Sequence, residues 1–304
     1  MPGKGAMAPR SKRARATAGA VISIAGVALA AAALGASKRS EPAPEGGTAL
    51  VGEARSNSLT VELGSAVGDV KLTEANVPGR PIVVLDPGHG GRDPGASGVS
   101  GSVSEKSLTL ALARELRDTL AERGRVRVAM TREDDRYLTL DQRAEIARRL
   151  GASAYLSLHI DSAPNPDARG ATVYSLSDVA SDAETARFAE RENKAGEGLS
   201  SEPDGSVRGM LSDLTLREQM NSSATLAERL VRKSAGRYLL RPNPHRFADF
   251  RVLRHAQVPA VLFEAGYISN TDDEALLAQP EKRAQIVAAL AQAIEADVAS
   301  RIVR

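Results

Sequence analysis

The strongest constraint on this chain is an alternation. Short, almost wholly apolar runs recur between longer segments whose leucines and alanines fall at helical spacing. "IVVLD" (82–86), "VRVAMTR" (126–132), "AYLSLHID" (154–161), "GATVYSLS" (170–177) and "VPAVLFEAGY" (258–267) have the length and content of strands buried on both faces. Between them, "SEKSLTLALARELRDTLAERG" (104–124) places Leu108, Leu112, Leu116 and Leu120 on one helical face and ends at Gly124. "TLDQRAEIARRLG" (139–151) opens with Thr139 and Gln142 as a capping box. A long amphipathic helix is expected from about 281 to 299. Strand and helix in turn specify an α/β domain with a mostly parallel central sheet and helices on both faces.

Residues 178–236 break the rhythm with two helical segments, "DAETARFAERENKAG" and "DLTLREQMNSSATLAERLVRK". They read as a helical insertion over one edge of the sheet, near the site. The domain itself is expected over 81–300. Before it, 37–80 is rich in Pro, Gly, Ser and charge and reads as a flexible tether.

The first 36 residues carry an export pattern. Lys4, Arg10, Lys12, Arg13 and Arg15 precede an Ala-rich apolar stretch that ends in small residues, with no acidic residue before Glu41. Cleavage near Ala36 is expected, with an uncleaved membrane anchor as the alternative. Cleavage removes five of the 40 basic residues and none of the 38 acidic ones, leaving 35 against 38, a net charge of −3 instead of +2. The basic character belongs to the leader, so nucleic acid is not an expected partner. There is no cysteine, which excludes disulfides and thiolate metal sites. At 42% hydrophobic residues with no Trp and nine Phe and Tyr, the core must be built from Leu, Val, Ile and Ala.

Three of the strand segments finish at a residue able to bind a metal or move a proton. His89 follows the first in the loop "DPGHGG", His159 ends "AYLSLH" and Glu264 ends "VPAVLFE". In open α/β sheets the carboxyl ends of the strands face the ligand crevice. Glu105, at the start of the following helix, is a fourth candidate, although with Ser102 it also fits an ordinary S-x-x-E capping box. Two imidazoles and a carboxylate are a common hydrolytic zinc set with one position left for water. The glycines around His89 match no phosphate-binding pattern. They suit a tight turn with room for a bulky ligand, and Asp86 and Pro87 are expected to fix that loop.

"VVLDPGHGGRDPGASG", "SEKSLTLALA", "MTREDDRYLTLDQRAEIAR", "LSLHIDSAPNPDARGATVY" and "VPAVLFEAGYISNTDDEALL" occur in the order found in one family. The chain resembles the zinc-dependent N-acetylmuramoyl-L-alanine amidases, and within them the proteobacterial AmiA/AmiB/AmiC cell-division group, from about Pro81 to Val298. The resemblance implies zinc ligands at His89, Glu105 and His159 and a catalytic glutamate at Glu264. Asp161 stands where the family has Asn or Asp. It further implies peptidoglycan as substrate, cut at the amide between the lactyl group of N-acetylmuramic acid and L-alanine, in the periplasm during daughter-cell separation.

The inserted helix is implied to cover the site with a glutamate on the metal. Spacing from His159 favours Glu192, with Glu190 second. The second inserted helix, with Leu214, Met220, Leu226, Leu230 and Val231, is implied to receive an activator bearing a degenerate LytM-type domain. His255 reads as structural, and His245 as a candidate lining the substrate groove. A monomer is expected, since nothing demands a partner subunit. The alternatives are another envelope zinc hydrolase such as a peptidase, or a catalytically silent wall-binding divisome protein.

Overall fold

Residues 82–87 are buried at every position, as are 154–161 and 260–267, and these three runs form the middle of the sheet. The computed structural model describes residues 70–195 and 207–302, the side chains of 207–213 excepted. The expected leader at 1–36, most of the expected tether and the loop at 196–206 lie outside the described residues. Among the described residues no helix is long and apolar enough to cross a membrane.

Among the described residues seven strands make one sheet: β1 (Leu72–Thr73), β2 (Ile82–Pro87), β3 (Arg127–Met130), β4 (Ala154–Asp161), β5 (Ala171–Leu176), β6 (Leu240–Ala248) and β7 (Ala260–Tyr267), in the order β1-β3-β2-β4-β7-β5-β6. Strands β3, β2, β4 and β7 run parallel, so their carboxyl ends share one edge. Strand β5 is antiparallel to β7, and β6 is parallel to β5. Strand β1 pairs antiparallel with β3. It lies within the range read as a tether, so the sheet starts earlier than the composition suggested.

Helices α1 (Glu105–Arg123), α2 (Leu140–Arg149), α3 (Ala183–Ala195), α4 (Val207–Ser234), α5 (Arg251–Ala256), α6 (Thr271–Leu277) and α7 (Pro280–Ile302) cover both faces. One core joins α1, α4 and α7 to Val83, Leu85, Leu156 and Leu158 on one face of the sheet. The other joins α2, α3 and α5 to Val84, Tyr155, Tyr174 and Leu262. The expected leucine stripe of α1 is buried in full, and Gly124 ends the helix at φ +62. The Thr139–Gln142 box also forms.

Two expectations are corrected. Helix α1 is capped by Ser104 with Ser107, not by Ser102 with Glu105, so Glu105 is the first helical residue and its carboxylate is free for other partners. Helix α4 is not an accessory element along its whole length. Leu226, Ala227 and Leu230 are buried in the core beside α7 with Val231 packed against it, and Met220 packs against the core on the other face. Of the five side chains assigned to an activator face, only Leu214 is exposed.

Candidate metal centre

The loop after β2 brings His89 to the common edge through a strained backbone. His89 has φ +59, a conformation unusual outside glycine. Two buried arginines hold it there. Arg143 donates to the carbonyls of His89 (2.6 Å) and Pro87 (2.8 Å) and to Asp86 Oδ1 (2.8 Å). Arg132 donates to the carbonyls of Pro87 (3.0 Å), Gly88 (2.8 Å) and Lys106 (2.9 Å), which ties the loop to the first turn of α1. Asp86 also accepts from Thr131, Tyr155 and Ser157. The expectation that Asp86 fixes the loop is met through Arg143.

Five side chains converge at this edge. Glu105 Oε1 lies 3.0 Å from His89 Nε2 and 3.1 Å from His159 Nδ1, and it accepts from the Ile160 amide at 3.0 Å. Its other oxygen accepts from the Ala96 amide. Glu192 reaches down from α3, with Oε2 at 3.5 Å from His159 Nδ1 and 3.8 Å from His89 Nε2. Glu264 is in register with His159 on the next strand, so both project from the same face. Glu190 points elsewhere, toward Lys194 at 2.6 Å in solvent, which removes it as the glutamate over the site.

Two glycines have reasons not visible in the chain. A Cβ on Gly88 would come within 2.5 Å of the His159 ring, and one on Gly95 within 2.6 Å of Glu105. These positions are bare because the site's own side chains fill the space, which corrects the reading of open room for a bulky ligand there.

The electrostatics follow from packing like charges out of water. Burial lowers the His89 pKa, but the charge of Glu105 and the hydrogen bond to Asp93 outweigh it and push the imidazole up to about 10. Burial raises Glu105, but the two imidazoles hold it well below the carboxylate range. Glu264 has no such compensation. Burial first, then the charges of Asp161, Glu105 and Glu192, lift it well above that range, with Arg191 opposing. Burial likewise raises Glu192.

His89, His159 and Glu192 offer ligand atoms within 4.8 Å of one another, a potential His/His/Glu metal cluster, and Glu105 adjoins it. The donor chemistry fits a divalent ion. His89 Nε2 is buried and near Glu105 but makes no properly directed hydrogen bond, an unmet demand that a cation would meet. Asp93 accepts from His89 Nδ1 at 2.9 Å, leaving Nε2 for a metal, the carboxylate–histidine arrangement common to such ligands. Asp161 binds Arg191 at 2.9 Å, which ties α3 to the end of β4. A cleft of about 630 Å³ adjoins the cluster, lined by Gly95, Ala96, Ser162, Pro164, Arg191 and Glu192.

His245 is not part of it. Its Nε2 lies 2.8 Å from Ser175 Oγ and its ring packs on Phe247, three strands from His159. His255 pairs with Asp141 at 2.6 Å, as a structural residue would.

Sequence reasoning did not single out Asp93, Arg132, Arg143 or Arg191. Asp93 was within reach, because it lies four residues after His89 in the same loop. The three arginines carry no local signal of their burial or partners.

Fold and site together define an α/β domain with a candidate metal cluster at the carboxyl edge of its parallel strands. Residues 83–296 match the family model described as Amidase_3, N-acetylmuramoyl-L-alanine amidase, and the chain belongs to that family. It is 36% identical over 220 residues to N-acetylmuramoyl-L-alanine amidase AmiA of Escherichia coli (strain K12), covering 71% of this chain and 75% of that protein. It is 32% identical over 242 residues to N-acetylmuramoyl-L-alanine amidase AmiC of Neisseria meningitidis serogroup B, covering 76% of this chain and 58% of that protein. Among solved structures, N-acetylmuramoyl-L-alanine amidase AmiC2 of Nostoc punctiforme shares 27% identity with a TM-score of 0.50, over 74% of this chain and 99% of that one.

Proposed function

We propose that this protein hydrolyses peptidoglycan at the amide between the lactyl group of N-acetylmuramic acid and L-alanine, and that it rests in a self-blocked state. The observation that carries the reading is the convergence of His89, Glu105, His159 and Glu264 on one buried sheet edge, with a further carboxylate, Glu192, placed over them.

His89, Glu105 and His159 would hold a zinc ion. When bound, such an ion supplies Lewis acidity toward the amide carbonyl and lowers the pKa of water at the site. Glu264 handles the proton. Its carboxylate is 1% exposed and surrounded by acidic groups, so a proton taken up there is retained until the amine of L-alanine departs and receives it. Asp93 keeps the His89 ring in one tautomer, and Arg143 keeps its backbone in place.

Helix α3 is the device that blocks the site. Glu192 occupies the space a substrate carbonyl needs, and the Arg191–Asp161 pair fastens the helix beside it. Withdrawal of α3 opens the cleft, and an activator bearing a LytM-type domain is the expected cause. Its docking face is not the leucine face of α4, which the core already uses. The leader expected at 1–36 would send the domain to the periplasm for cell separation.

The test is a pair of variants measured for zinc and for hydrolysis. Glu264→Ala should keep zinc and lose hydrolysis, while His89→Ala should lose both. Hydrolysis by the chelated, metal-free protein would overturn the scheme.

A further inference from the structure

A row of three side chains crosses the sheet at its carboxyl edge. His159 on β4 is in register with Glu264 on β7, and Glu264 is in register with Thr172 on β5. Paired residues on adjacent strands project from the same face. The first two have roles in the reading above. Thr172 has none, yet its environment is unusual.

Thr172 is wholly buried, and its hydroxyl makes no hydrogen bond. Neither oxygen of Glu264 makes one either. A buried polar group without a partner costs about 1–3 kcal/mol. At a buried strand position valine has the same shape, a high strand preference and no hydroxyl to desolvate. A threonine here therefore needs a partner that the described side chains do not provide. Directly paired Cβ atoms across strands lie about 4.5–5.5 Å apart. A single buried water between the two side chains would satisfy the hydroxyl and one carboxylate oxygen together.

We propose that Thr172 is a positioning residue for Glu264. Through a shared buried water its hydroxyl engages one carboxylate oxygen on the β5 side, which leaves the other oxygen turned toward His159 and the reacting amide. The inference rests on Glu264 as the proton carrier and adds the group that orients it. A carboxylate free to rotate would present the wrong oxygen part of the time, and small misplacements of a reacting group are costly in rate.

The test uses the full chain carrying Glu192→Ala, loaded with zinc and assayed on purified peptidoglycan. Adding Thr172→Val should lower kcat about tenfold, with KM and zinc content unchanged, and Thr172→Ser should recover most of the loss. A high-resolution crystal structure of the zinc-loaded protein should show a water within hydrogen-bond distance of Thr172 Oγ1 and Glu264. Unchanged kcat in Thr172→Val, or the absence of a shared water, would overturn the proposal. The crystallographic result does not depend on turnover, so it tests Thr172 separately. Full turnover by Glu264→Gln would instead remove the role given to Glu264.

Discussion

The Glu192 carboxylate stands 3.5 Å from Nδ1 of His159, the atom that also faces Glu105. Burial raises its pKa, but the imidazoles of His159 and His89 attract the charged carboxylate and hold it over the site. Removing it should favour the open site. Glu192→Ala should raise basal hydrolysis of purified peptidoglycan at least about tenfold, since a closed state favoured by that factor suppresses turnover in proportion. Glu190→Ala should leave it unchanged, because that side chain pairs with Lys194 in solvent. Equal basal rates for the parent and Glu192→Ala would remove the blocking role.

The Arg191–Asp161 pair should have a smaller effect in the same direction. Arg191 is half exposed, so the pair contributes no more than about 1 kcal/mol, which corresponds to about a fivefold change in population. Arg191→Ala should raise basal hydrolysis by no more than that, and faster proteolysis within α3 should accompany it.

Asp86 should give the domain an acid-sensitive stability. Burial raises its pKa, but Arg143 and the hydroxyls of Thr131 and Tyr155 bring it down to about 2, below the ordinary value of 3.8. The folded state therefore binds fewer protons than the unfolded state between these values. The stabilisation is fully present above about pH 4 and is lost as pH falls toward 2, a change on the order of 2 kcal/mol. Urea titrations from pH 6 to pH 2 should show this slope, and Asp86→Asn should flatten it while lowering stability at neutral pH.

Helix α4 should respond as part of the core. Leu226→Ala and Leu230→Ala should each cost about 2–5 kcal/mol in chemical denaturation. Leu214→Ser, on the exposed turn, should stay within about 0.5 kcal/mol of the parent. Near-neutral stability in the first two would contradict the packing.

The parts of the fold legible in the chain were those whose local pattern matches their burial. Strands β2, β4 and β7 are apolar and buried throughout, so their runs stood out. Strand β6 did not, because "LRPNPHRFA" carries two prolines and is mostly half-exposed at the sheet edge. The antiparallel β5–β7 pairing also left no local trace, since strand direction depends on the path of α3 and α4. His89, His159 and Glu264 could be grouped because parallel strands end at one edge. Arg132 and Arg143 could not, because arginine is a surface residue by default and only the folded loop shows the carbonyls they hold. Glu105 looked like a cap until Ser104 proved to be the N-cap.

The most direct measurement of the central claim is mass analysis of sacculi digested by zinc-loaded Glu192→Ala protein. The account requires stem peptides released with a free L-alanine amino group, glycan strands left intact, and no products after chelation. Peptides cut within the stem or cross-bridge, or the same products from metal-free protein, would contradict it.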